Sequence, residues 1–199
     1  MNRQLFKATA KKQLKQHYLP WLVIALISIL LTYNQSQSNS EMIQTGLTIN
    51  FHFRWLTLFE LIFTIGFARV ALDLSLGYYH SFKESFLSNR QWLKEFGAML
   101  LVNIYTILWT FLFIIPGVMK YYAYSMVPYI LAEDSEMSIS DAIALSQDLT
   151  DGFKFDLFIL DMSFILWDIL AMFTLGISGF YSEPYKKASF TQAYLFLSR

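Results

Sequence analysis

Residues 96–115, FGAMLLVNIYTILWTFLFII, run for twenty residues without a charged side chain. Coiled as an α-helix at about 1.5 Å per residue, such a run covers the ~30 Å hydrocarbon core of a bilayer. In water it would need protein on every side. A chain of 199 residues ordinarily makes one domain, and this one carries 19 Phe, 12 Tyr and 5 Trp with only 15% charged residues. Soluble domains average about 25% charged. So many apolar rings exceed what one small aqueous core takes up, and lipid is the economical solvent. The expected fold is therefore all-α, a polytopic α-helical membrane protein forming one integral membrane domain over 1–199. A net charge of zero argues against a nucleic-acid partner held by general basicity. The absence of cysteine excludes disulfides, thiolate metal sites and cysteine nucleophiles.

The remaining segments set a topology. Residues 2–16 mix Leu5, Phe6, Ala8 and Leu14 with Lys7, Lys11, Lys12 and Lys15, the pattern of a short cationic helix lying on anionic lipid headgroups. Residues 18–33 read as a first hydrophobic helix. Basic-then-apolar order also suits a signal peptide, but the weak small-x-small site at Ser36 and Ser38 favours a retained helix. A polar loop without Lys or Arg leads to a second long segment, 51–75, interrupted by Arg54, Glu60 and Arg69. Residues 76–95 are amphipathic and carry Lys83, Arg90 and Lys94. Lys and Arg are retained on the cytoplasmic side, so the N-terminus and 76–95 belong inside and the polar loop outside.

Whether the chain then crosses back depends on residues 113–134, FIIPGVMKYYAYSMVPYILAED. Pro116 lacks an N–H and Gly117 accepts left-handed geometry, so the pair should end a helix. The apolar stretch after Gly117 covers only about 22 Å, and Pro128 should kink it and free the Tyr124 carbonyl. The acidic run from Glu133 to Asp151 has no Lys or Arg and by positive-inside counting looks external, which gives four crossings. Repetition favours the return. Lys15, Lys94 and Lys154 each precede a long apolar helix, and the second and third of these break at IIPG and TLGI before a shorter segment. Three units of surface helix plus hairpin give six crossings, at about 18–33, 51–75, 96–115, 117–132, 153–175 and 180–198. An amphipathic surface helix is expected at 138–150. Ser138 with Asp141 starts it, Ile139, Ala142, Ile143 and Leu149 share a face, and Gly152 ends it.

Several short patterns occur in one order: the IPG break, Y-S-M-x-x-Y-I-L-A ending in acids, A-I-x-x-S-x-x-L-T-x-G, L-x-x-L-x-x-S-F-I-x-W, T-L-G-I, and P-Y near the C-terminus. With the basic N-terminal helix, this succession resembles a bacterial integral-membrane family catalogued as a domain of unknown function, number 975. The likeness covers nearly the whole chain. It implies a polytopic protein of the bacterial cytoplasmic membrane, with six helices and no established activity. The chain departs from that pattern in lacking basic residues around the third surface helix, and in carrying Asp161 and Asp168 where apolar residues are usual.

An ionisable group at the centre of a membrane helix costs about 2.5–3.5 kcal/mol and is normally paired or functional. The candidate intramembrane polar site is Asp161, Asp168, Arg69 and Glu60. Asp161 and Asp168, seven residues apart, should share one face of a continuous helix about 10.5 Å apart along its axis. Arg69 and Asp73 make an i, i+4 pair. Depth puts Arg69 with Asp161 on the inner half, and Asp168 with Lys186 and Lys187 on the outer half. Two readings follow: ion pairs that lock helices together, or an acidic cavity for a cation, a cationic peptide or a lipid headgroup. His17, His52 and His80 lack metal-ligand spacing, and no catalytic motif is present. Ser125, Ser146 and Ser163 have no base nearby in sequence. No cofactor is expected. The partners expected are the phospholipid bilayer and another membrane protein or a peptide. The expected role is non-enzymatic, in envelope protection or immunity. The alternatives are a small transporter or exporter using the intramembrane acids, and an accessory to lipid processing.

Overall fold

The computed structural model describes residues 3–27, 55–79, 81–87, 91–174 and 178–199, and all regular structure among them is α-helical. The chain runs through α1 (Arg3–Gln16), α2 (Tyr18–Ile27), α3 (Trp55–Leu76), α4 (Phe82–Leu87), α5 (Trp92–Leu112) and α6 (Ile114–Tyr124). It continues as α7 (Val127–Glu133), α8 (Ile139–Leu149), α9 (Lys154–Met162), α10 (Ile165–Phe173) and α11 (Gly179–Leu197). Residues 28–33, 51–54 and 175 of the expected crossings lie outside the described residues, as do Arg54, Arg90, His52 and His80.

Helix α3 is the axis of the packing, because every residue from Ile65 to Leu72 is buried. Ile65, Ala68 and Leu72 enter one apolar core with α5 to α9 and α11, while Phe67, Val70, Ala71 and Leu74 enter a second with α1, α2 and α4. A helix buried on all faces serves two neighbourhoods at once. Helix α1 buries Phe6, Ala10 and Leu14, a stripe at i, i+4 and i+8, and it packs along α11. The apolar face expected to rest on lipid is thus turned into the protein. Lys11, Lys12 and Lys15 remain exposed, and Lys7 is half-buried.

The Pro-Gly corner is displaced from where the sequence puts it. Helix α5 begins at Trp92, ahead of the expected 96, and stops at Leu112. Phe113, extended at φ −156 and ψ 136, makes the whole turn. Pro116 falls in the first turn of α6, where N–H groups have no helical partner and their loss costs nothing. Gly117 is helical rather than left-handed, and a Cβ there would lie 2.5 Å from Thr110 Cα. It is needed so that α6 can close on α5. The return then runs antiparallel to α5 along its length. Gly117 meets Thr110, the Tyr124 and Tyr105 rings lie 6.3 Å apart, Lys94 donates to the Ser135 carbonyl, and Gln91 donates to Glu136.

That return is two helices rather than one over 117–132. It breaks at Ser125 and Met126, which puts Pro128 in the first turn of α7. Beside the break, the Ala123 carbonyl accepts from Ser146 Oγ at 2.7 Å, and Thr150, whose hydroxyl donates to the Ser146 carbonyl at 2.8 Å, lies next to it; both side chains are wholly buried. A buried carbonyl without a partner would cost a lost hydrogen bond, so the Ser146 hydroxyl holds the bend. It stands on α8, whose N-cap Ser138 accepts from the Asp141 N–H at 3.1 Å, and Gly152 at φ 74 follows its end. Ala142 and Ile143 face the core, so α8 lies against α6 and α7.

The segment expected as one helix over 153–175 is also split, into α9 and α10 around Ser163 and Phe164. Phe164 is wholly buried and meets Tyr185 edge-on at 5.2 Å. Among the described residues, α5 is the one helix long and apolar enough to cross a membrane, with a mean hydropathy of 1.5. Helix α11 falls short because it carries Glu183, Lys186 and Lys187, and the split segments because they come in pieces of 11, 7, 9 and 9 residues.

Candidate functional site: a charged cluster beside a cavity

The residues expected to form one polar site separate into two groups. Arg69 on α3 donates through Nη2 to Glu95 Oε1 at 2.9 Å, with side chains only 6% and 3% exposed. Its Nε lies 3.5 Å from the Ala132 carbonyl in the last turn of α7, where carbonyls lack helical partners. One guanidinium thus joins α3, α5 and α7. Its carboxylate partner is Glu95, neither Asp161 nor Asp73. Sequence reasoning missed Glu95 because Lys94-Glu95 reads as the end of a surface segment. The earlier start of α5 puts Glu95 in a first helical turn, where the helix dipole favours an acid. The Glu60 side chain lies outside the described residues.

The second group surrounds Lys186 on α11. Its Nζ is 2.6 Å from Asp161 Oδ1 on α9 and 3.9 Å from Asp168 Oδ2 on α10. The Tyr122 hydroxyl donates to Asp161 Oδ2 at 2.8 Å. One ammonium therefore serves two acids on either side of the α9–α10 break. The association of Asp168 with Lys186 was readable from depth along the chain, whereas that of Asp161 with Lys186 and Tyr122 was not. At the break itself, Lys7 Nζ lies 3.5 Å from the Ser163 carbonyl and 4.4 Å over the Phe164 ring. Partial loss of water there pushes the Lys7 pKa down.

A cavity of about 330 Å³ opens beside the Lys186 group, between α3, α5, the α6–α7 bend and α11. Phe67, Ala68, Ala71, Met99, Val102 and Phe190 give it apolar lining, and Tyr121, Asp161, Glu183, Lys186 and Lys187 give it charge and polarity. Arg69 and Glu95 are not part of that lining. The Lys187 ammonium lies 4.7 Å over the Phe67 ring. Among the described residues no three His, Asp or Glu side chains gather as metal ligands. The serine hydroxyls singled out in the sequence turn to backbone: Ser125 to Tyr122, Ser146 to Ala123 and Ser163 to Leu160.

The residues that organise the two bends, Ser146 for one and Ser163 and Phe164 for the other, belong to the short patterns that carried the family resemblance. Comparison with curated proteins and with solved structures gives no match. The likeness is borne out over the part of the chain that holds the bends, the charged cluster and much of the cavity: residues 113–198 match the model of the family described as Protein of unknown function (DUF975).

Proposed function

We propose that this chain is an integral protein of the bacterial cytoplasmic membrane, crossing it six times with both termini inside. It acts by binding lipid, a peptide or another membrane protein rather than by catalysis. The observation that carries this reading is the apolar surface of the α5–α6 hairpin and of α10. Phe111 is 91% exposed, and Ile115 and Leu166 are each 75% exposed. Leaving such area in water forgoes about 25 cal/mol per Å² of burial, a loss that hydrocarbon removes. The hairpin adds support. Gln91 and Lys94 at the start of α5 bond to Ser135 and Glu136, so the acidic stretch shares an end with a lysine that positive-inside counting keeps cytoplasmic. The pairing of Arg69 with Glu95 and of Lys186 with Asp161 also suits an oil-like surrounding. Irregular backbone at the two bends is tolerable in lipid where protein covers and bonds it.

The chain has no cysteine, so single replacements report on topology directly. Asp148→Cys on exposed α8 should react with an impermeant maleimide only after cells are opened, and Leu108→Cys on α5 should stay unlabelled until the protein is denatured. Labelling of Asp148→Cys on intact cells would replace six crossings by four. Release of the chain from membranes by alkaline carbonate, without detergent, would remove the membrane reading altogether. A role in envelope protection or immunity requires that expression change survival under a membrane-active agent without any flux in liposomes. The cavity lined by Asp161 favours a second reading, a small transporter or exporter. Substrate flux lost on Asp161→Asn would decide for it.

A further inference from the structure

The geometry points to the cavity as a binding site for an organic ammonium carried on a short apolar body, with the ammonium held by Glu183. This names a ligand class that the membrane reading leaves open. The sign of the charge comes from which groups are already occupied. Lys186 is held between Asp161 and Asp168, and the Lys187 ammonium rests on the Phe67 ring. Glu183 lines the same cavity and makes no hydrogen bond or ion pair among the described residues. Among the described residues the lining carries two carboxylates, Asp161 and Glu183, and two ammoniums, Lys186 and Lys187, and Asp168 beside Lys186 adds a third acid just outside it, which leaves Glu183 as the acid without a cation in contact. An unpaired carboxylate beside apolar walls is costly, and a cationic ligand relieves that cost.

Hydrogen-bonding capacity points the same way. Thr106 donates its one hydroxyl proton to the Val102 carbonyl at 2.8 Å, and Ser125 donates its proton to the Tyr122 carbonyl at 2.7 Å. What both hydroxyls have left is lone pairs. Asn103 places an amide N–H on the Met99 carbonyl at 2.8 Å, and Pro128 has no N–H to give. These four positions therefore offer acceptors, which suit the three N–H groups of a primary ammonium. The opposite charge, a phosphate or carboxylate, would face Glu183 and find the lysines engaged. A bare inorganic cation would leave the walls of Phe67, Met99, Val102 and Phe190 unused. At about 330 Å³ the space is at the small end of the roughly 300–1,000 Å³ of ligand cavities, room for a short alkyl or aryl body.

The test is calorimetric titration of the purified full-length chain in an uncharged detergent. Octylammonium is compared with octanol, octanoate and inorganic ammonium, and thermal unfolding is followed in parallel. Octylammonium should bind saturably and raise the unfolding temperature, with the other three at least about tenfold weaker. Glu183→Gln, which breaks no internal bond, should fold normally and bind octylammonium about tenfold more weakly, ~1.4 kcal/mol. Should that variant fail to fold, Asn103→Leu on the exposed side of the cavity gives the second reading, with about a threefold loss expected. Equal or tighter binding of octanol or octanoate, or unchanged affinity in the folded variant, overturns the assignment. Because this assay is made in detergent, it is independent of the number of crossings. Its failure leaves the membrane reading standing, and external labelling of Asp148→Cys leaves the ligand assignment standing.

Discussion

Arg69 and Lys186 each hold a carboxylate from another helix, yet their surroundings differ in almost every other respect. The Arg69–Glu95 pair is sealed, its second contact is a helix-end carbonyl, and it does not border the cavity. The Lys186 ammonium is shared between two acids, its side chain is 29% exposed, and it lines the cavity. A sealed pair fixes one arrangement of three helices, because separating its charges leaves each of them without solvent. A shared lysine can lean toward either acid at little cost. Ionisable residues in apolar segments are thus of two kinds here. The one that locks is buried against a single acid, and the one beside a binding space has two acids within reach.

The sealed pair should give the largest effect. Arg69→Met takes the guanidinium away from the buried Glu95 carboxylate and should destabilise the protein by about 3–5 kcal/mol, read as loss of folded yield and a lowered unfolding temperature in detergent. Arg69→Met with Glu95→Met should recover most of that loss, since two apolar side chains leave no charge unmatched. If the double variant is as unstable as the single, the lock is more than an ion pair. Asp161→Asn should cost less, about 1–2 kcal/mol in the same assay. The amide oxygen still accepts from Tyr122, and Asp168 remains within reach of Lys186. A loss as large as that of Arg69→Met would make the two groups equivalent and end the contrast.

Local signals in the sequence were read well where they act alone. The Ser138–Asp141 cap and the Gly152 stop give α8 its bounds within a residue, because both depend on a few neighbouring residues. The corner at Pro116-Gly117 was readable as a corner, but its mechanism was not. Phe113 makes the turn, and Gly117 serves a close contact with Thr110 that only the packed hairpin creates. The two breaks were less legible still. No Pro or Gly occupies Ser125-Met126 or Ser163-Phe164, and what holds them comes from elsewhere: Ser146 from α8, and Lys7 from α1. The polar site was half legible. Asp161, Asp168 and Arg69 were found because charge in an apolar run is conspicuous, whereas Glu95 hid at a segment edge.

Asp168→Asn should have the smallest effect, and it tests the shared lysine most sharply. Asp168 is 47% exposed and 3.9 Å from Lys186, the geometry of a weak surface pair, so its removal alone should cost no more than about 0.5 kcal/mol. In an Asp161→Asn background the situation changes, because among the described residues Lys186 then has Asp168 as its remaining acid within ion-pair distance. Removing Asp168 from that background should cost about 1 kcal/mol more than removing it from the wild type, a non-additivity typical of residues that share a partner. A double-mutant cycle by thermal unfolding measures this term directly. If the two changes simply add, Lys186 does not exchange acids. The cluster is then a second lock like Arg69–Glu95, merely placed where solvent can see it.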